Sequence, residues 1–110
     1  MPVRARAESR SGRVAIAELQ RIEGELLFLR GDPDAAAAAE DHLRQALDWA
    51  RRQGALCWEL RAATSLARLW RSRDGADRAR ELLGSVYGRF TEGFETADLR
   101  AAKMLLDDMA

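Results

Sequence analysis

The chain has 110 residues, enough for one domain with a real core and too few for two. Eighteen basic residues balance eighteen acidic ones, so no whole-chain field draws the protein to nucleic acid, a membrane surface or an acidic ligand. The single cysteine, Cys57, has no internal partner for a disulfide, which fits a reducing compartment.

Residues 1–13, MPVRARAESRSGR, carry Arg4, Arg6, Arg10 and Arg13 against Glu8 alone, with small and polar residues between them. This composition predicts a disordered basic leader, leaving residues 14–110 as the folded part. Four scattered arginines more often keep a terminus soluble than grip phosphate, so nucleic acid is not an expected partner. In RVAIAELQRIEGE charge interrupts the apolar residues within a few positions, unlike the apolar segment of a signal peptide. No run approaches membrane-spanning length, and the expected location is the cytoplasm.

Glycine and proline then divide the chain into helical pieces. The first, about 14–30, places Leu19, Ile22, Leu26 and Leu29 on one face and stops at Gly31. In GDPDA, Asp32 is the predicted cap of a second helix, Pro33 its first residue, and Asp34 lies near the positive end of the dipole. That helix runs to about residue 53 on the line Ala39, Leu43, Ala46, Leu47 and Ala50.

A third helix, about 55–72, contains WELRAATSLARLW and has two apolar stripes. One is Leu56, Leu60, Ala63, Ala67 and Trp70; the other is Ala62, Leu66 and Leu69. A single stripe suffices for a surface helix, so two stripes predict an inner helix with neighbours on both sides. A fourth helix, about 76–90, turns Ala79, Leu82, Leu83, Val86, Tyr87 and Phe90 inward. After the loop TEGFET, Thr96 is the predicted cap of a last helix carrying Leu99, Ala102, Leu106 and Met109. No segment alternates with period two, so the fold class is all-α, with five helices joined by short turns.

The helices form pairs that resemble each other. Gly24, Leu27, Gly31, Ala39, Leu43 and Ala46 in the first pair match Ala67, Trp70, Gly75, Ala79, Leu83 and Val86 in the second. Fifteen positions separate Gly24 from Ala39, and twelve separate Ala67 from Ala79, so the first loop is three residues longer. Small residues at such points let two helices approach closely, as in a helical-hairpin repeat.

These positions resemble a tetratricopeptide repeat (TPR): the small residue of the first helix (Gly24, Ala67), the aliphatic or aromatic residue after it (Leu27, Trp70) and the alanine of the second helix (Ala39, Ala79). WELRAATSLARLW, ARELLGSVYGRFTEGFETADLRAAKMLLDDM and LQRIEGELL are also similar to the C-terminal, MalT-like TPR region of large bacterial signalling ATPases, adenylate-cyclase-like proteins and transcriptional regulators. The similarity covers residues 17–109. It implies a TPR-like α-α hairpin solenoid of two hairpins plus a C-terminal helix. Neither repeat has the closing proline of a TPR unit, and Thr91 stands at that point in the second. The nucleotide-binding motif GxxxxGK[ST] is absent, so catalysis by such proteins does not carry over.

The residues themselves offer little chemistry. His42 lies between neighbours that point in different directions on a helix, which predicts a solvated face and no metal. Asp107 and Asp108 diverge in the same way, and Cys57 reads as a small buried hydrophobe. No catalytic, cofactor or metal site is expected, and the protein is expected not to be an enzyme. Trp70 belongs to the core stripe, while Trp49 and Trp58 lie off theirs and are candidate partner contacts. Arg61 and Arg68, seven apart on one helical face, are candidates to meet an acidic segment.

The expected function is protein–protein interaction in a bacterial signalling or regulatory system. The partner would be a protein, a peptide or, through exposed terminal helices, a second copy. An alternative is a C-terminal segment of a larger ATPase, cyclase-like protein or regulator, with no activity of its own.

Overall fold

The computed structural model describes residues 18–110, so the basic leader over residues 1–13 and the predicted first turn of the opening helix lie outside the described residues. Within them the chain is all-α. Helix α1 covers residues 18–30, α2 Pro33–Arg52, α3 Leu56–Ser72, α4 Ala76–Tyr87 and α5 Ala97–Met109, and no strand occurs among the described residues.

Local chemistry accounts for the boundaries. The Asp32 carboxylate accepts the Ala35 N–H at 2.7 Å, Pro33 occupies the first turn, and Arg51 and Arg52 sit at the negative end of α2. Gly31 and Gly54, with φ of 78° and 63°, reverse the chain before and after α2. Between α3 and α4 the left-handed residue is Asp74, with φ of 61°, and the Gly75 N–H donates to the Trp70 carbonyl at 2.7 Å. Thr96 caps α5 by accepting the Leu99 N–H at 3.4 Å.

Helix α3 is the inner helix that its two stripes predict. It packs against α2, α4 and α5, whereas α2 does not approach α4 or α5. Leu60, Ala62, Ala63, Leu66, Ala67 and Leu69 are all buried. With Leu43, Leu83 and Val86 they make one continuous core, in which each large aliphatic side chain contributes about 1.5–3 kcal/mol. The ends of α3 depart from expectation. Leu56 and Trp70 are half-buried and Cys57 is exposed. In α5 the core receives Leu105, and Leu106 lies at its edge.

The two helix pairs match in burial as well as in sequence. Gly24 and Ala67 are buried, Leu27 and Trp70 half-buried, and Ala39, Leu43 and Ala46 buried like Ala79, Leu83 and Val86. In the first pair the approach is closest at Gly24. A Cβ there would stand 2.8 Å from Leu43 Cγ and 3.1 Å from the Ala39 carbonyl oxygen. The face of α1 that meets the core is therefore Gly24, Leu27 and Phe28. The stripe of Leu19, Ile22, Leu26 and Leu29 points outward.

Two glycine substitutions should have opposite signs. Gly24→Ala gains about 1 kcal/mol of helix propensity but forces the α1–α2 contact apart, and a net loss of about 1–2 kcal/mol is expected. Gly84→Ala, whose Cβ would meet only Leu106 Cδ2 at 4.0 Å, should gain about 0.5–1 kcal/mol. Urea denaturation of both variants checks the pair; stabilisation by Gly24→Ala would contradict the packing described.

Candidate functional site

A groove of about 300 Å³ is lined by Arg21 of α1, Arg61, Thr64, Ser65 and Arg68 of α3, and Asp98 and Ala101 of α5. Residues 61, 64, 65 and 68 share one face of α3, since three- and four-residue steps stack side chains along a helix. Glu18, Arg21 and Glu25 form the corresponding row on α1. Alternate helices of the chain thus supply the groove.

Its charges are paired both within α1 and between helices. Arg21 meets Glu18 at 2.6 Å and Glu25 at 3.5 Å, and Arg61 meets Asp98 at 2.9 Å and Glu18 at 3.5 Å. Arg68 has the loosest contact, 3.8 Å to Glu25, and its side chain is 46% exposed. Ser65 donates its hydroxyl proton to Glu25 at 2.5 Å, and Thr64 donates to the Leu60 carbonyl at 2.8 Å. The hydrogen bond to Glu18 raises the Arg21 pKa further above its ordinary value against the opposing effect of burial, so this guanidinium stays charged. The groove can exchange ion pairs with carboxylates of a ligand. Among the described residues no cluster of histidine, cysteine and carboxylates fits a metal, and no helix is long and apolar enough to cross a membrane.

The structure brings together three of the four sequence-predicted residues. Arg61 and Arg68 line the groove, and the Arg61 guanidinium lies 4.6 Å from the centre of the Trp58 ring. Trp58 itself is half-buried in a crevice with Glu18, Arg21, Ala46 and Ala62. Trp49 stands apart on α2, half-buried beneath Arg52 at 5.9 Å. His42 is not on a solvated face. It is half-buried because α1 lies over it, with Nδ1 2.5 Å from Gln20 Oε1 and 3.5 Å from Glu23. Asp107 and Asp108 are exposed and pair with Lys103 and Arg71.

Sequence reasoning missed Arg21, Ser65, Asp98 and Glu59. Arg21 and Asp98 become site residues only through contacts to a distant helix. Glu59 lies outside the groove, 2% exposed in the first turn of α3, and accepts from Arg51 at 3.3 Å and Arg89 at 2.8 Å. Comparison of the chain with family models, with curated proteins and with solved structures finds no match.

Trp70 belongs to a different polar cluster on the outer surface. Its ring lies between the guanidinium groups of Arg44 at 5.5 Å and Arg78 at 4.1 Å, and its N–H donates to Glu40 at 3.2 Å. Burial pushes the Glu40 carboxyl up, but hydrogen bonds from Arg44 and Trp70 outweigh it and hold the carboxyl below its ordinary value of 4.5. Stability from a depressed carboxyl is complete above the unfolded value and is lost as pH falls through the folded one. Glu40→Gln should therefore cost about 0.5–1 kcal/mol at pH 7 and flatten the fall in Tm between about pH 5 and 3. Parallel Tm-against-pH curves for variant and wild type would refute this linkage.

Proposed function

We propose that the chain is a non-catalytic protein-interaction module, a TPR-like stack of helical hairpins that holds a carboxylate-bearing peptide or helix against α1, α3 and α5. The observation that carries the reading is the groove itself, built from alternate helices and containing Arg21, Arg61 and Arg68. In a hairpin stack those alternate helices are the first members of successive pairs. The matched burial of Gly24 with Ala67 and of Ala39 with Ala79 supports the repeat reading. The MalT-like resemblance supports a place in bacterial signalling or regulation, within the cytoplasm.

A ligand carboxylate would bind by taking over guanidinium groups that now face Glu18, Glu25 and Asp98. Arg68 is the first to be engaged, since its contact is long and its side chain exposed. Arg61 and Arg68 stand seven helical residues apart, about 10 Å along the axis. A helical ligand lying along α3 covers that distance in the same seven residues with both side chains on one face, so acidic side chains at positions i and i+7 of a bound helix fit the pair.

The test is selection of peptides from a random displayed library, followed by calorimetric titration of synthetic winners. Enriched acidic pairs at that spacing are expected, with Arg61→Ala and Arg68→Ala each weakening binding about tenfold, a change of about 1.4 kcal/mol. Arg52→Ala, beside Trp49, should leave affinity unchanged. Peptides that bind both groove variants as tightly as the wild type would refute the site.

A further inference from the structure

Among the described residues six large hydrophobic side chains are exposed, and four of them are Leu19, Ile22, Leu26 and Leu29, at 57%, 42%, 59% and 80%. All four are on α1, at successive steps of three, four and three residues. That is the a/d spacing of a coiled-coil seam, and the period of 3.5 keeps the row facing another helix. The opposite side of α1 is occupied, with Gly24 against Leu43 and Leu27 and Phe28 on the core. Helix α1 is apolar on two sides, as α3 is, but among the described residues only one side is covered.

We infer that this outward stripe is a self-association seam: α1 of one copy pairs with α1 of a second copy about a two-fold axis. This goes beyond the peptide groove and does not depend on it. Two observations favour an identical helix over a charged partner. The seam is self-complementary, because the same knobs that project from one copy fit the holes between those of the other. The charged residues along its edges are also already engaged within the chain. Glu18 faces Arg21 at 2.6 Å, Glu25 faces Arg21 at 3.5 Å, Arg30 faces Asp32 at 3.8 Å, and Glu23 faces His42 at 3.5 Å. Most of this charge meets an arginine, and His42 answers Glu23 only when its imidazole is protonated, so two such edges approach with modest repulsion and neither strongly selects a partner of opposite charge.

The size of the seam sets the strength. Four partly exposed aliphatic side chains offer on the order of 400 Å², within the range in which a patch on a monomer has a function. Two copies bury roughly 800 Å², below the ~1,200 Å² of stable complexes. The dimer is therefore weak and transient.

Sedimentation equilibrium of the full 110-residue chain from about 1 to 300 µM, with light scattering, tests the inference. A reversible monomer–dimer equilibrium is expected. Ile22→Glu with Leu26→Glu should raise the dissociation constant at least thirtyfold, with far-UV circular dichroism unchanged because both sites face outward and glutamate suits a helix. Leu29→Ser, at the most exposed position of the seam, should raise it about fivefold. Met104→Glu, on α5, should leave it unaltered. A chain that stays monomeric at the highest concentration overturns the inference. So does a dimer indifferent to the α1 variants, or a ladder of larger species abolished by Met104→Glu, which would mean head-to-tail contact instead.

Discussion

One helix has to be buried on nearly every side, and the remaining architecture follows from that constraint. From residue 59 to residue 69, α3 leaves only Arg61 and Arg68 outside the buried class. A helix packed against several others tolerates this only if its surface alternates between space-filling and space-yielding side chains. Leu60, Leu66 and Leu69 fill; Ala62, Ala63 and Ala67 yield. The same residues therefore decide where charge can go. The one strip of α3 that α2, α4 and α5 leave uncovered carries its two central arginines, and that strip is the floor of the groove. Packing and candidate function are two consequences of one pattern.

Near-complete burial also brings polar atoms inside, and each is answered. Thr64 returns its hydroxyl to its own helix, while Ser65 reaches Glu25 on α1. Neither is left with an unpaired donor, which would cost about 1–3 kcal/mol. Glu59 is the more demanding case, because a buried carboxylate without partners would not remain ionised at low cost. It receives Arg51 from the end of α2 and Arg89 from just beyond α4. Both arginines keep about half of their surface in water, so the desolvation cost falls mainly on the carboxylate. No side chain caps the start of α3, and Glu59 supplies negative charge to its first turn instead. One residue thus compensates for a missing cap and fastens two neighbouring helices.

What was legible in the sequence, and what was not, divides along the range of the interactions. The Asp32–Pro33–Asp34 start of α2, the Thr96 cap and the glycine stops depend on neighbours within a few residues, and they stand where the pattern predicts. The double stripe of α3 was legible for a related reason: when both faces are apolar, both must be covered, whichever neighbours cover them. Helix α1 is the instructive failure. Four of its aliphatic residues form the clearest stripe, yet the face that packs carries Gly24 with Leu27 and Phe28; the repeat comparison marks Gly24 as a point of close approach, whereas periodicity alone gives it no weight. Close approach to Leu43 and Ala39 needs the absence of a side chain, and an absence has no hydrophobic signal. The groove was half legible for the same physical reason. Arg61 and Arg68 could be seen as one face because they share a helix, whereas Arg21, Ser65 and Asp98 join them only after three helices have docked. The ion pairs that define the groove follow from the packing of α1 and α5 on α3, so a reading that does not yet know the packing cannot place them.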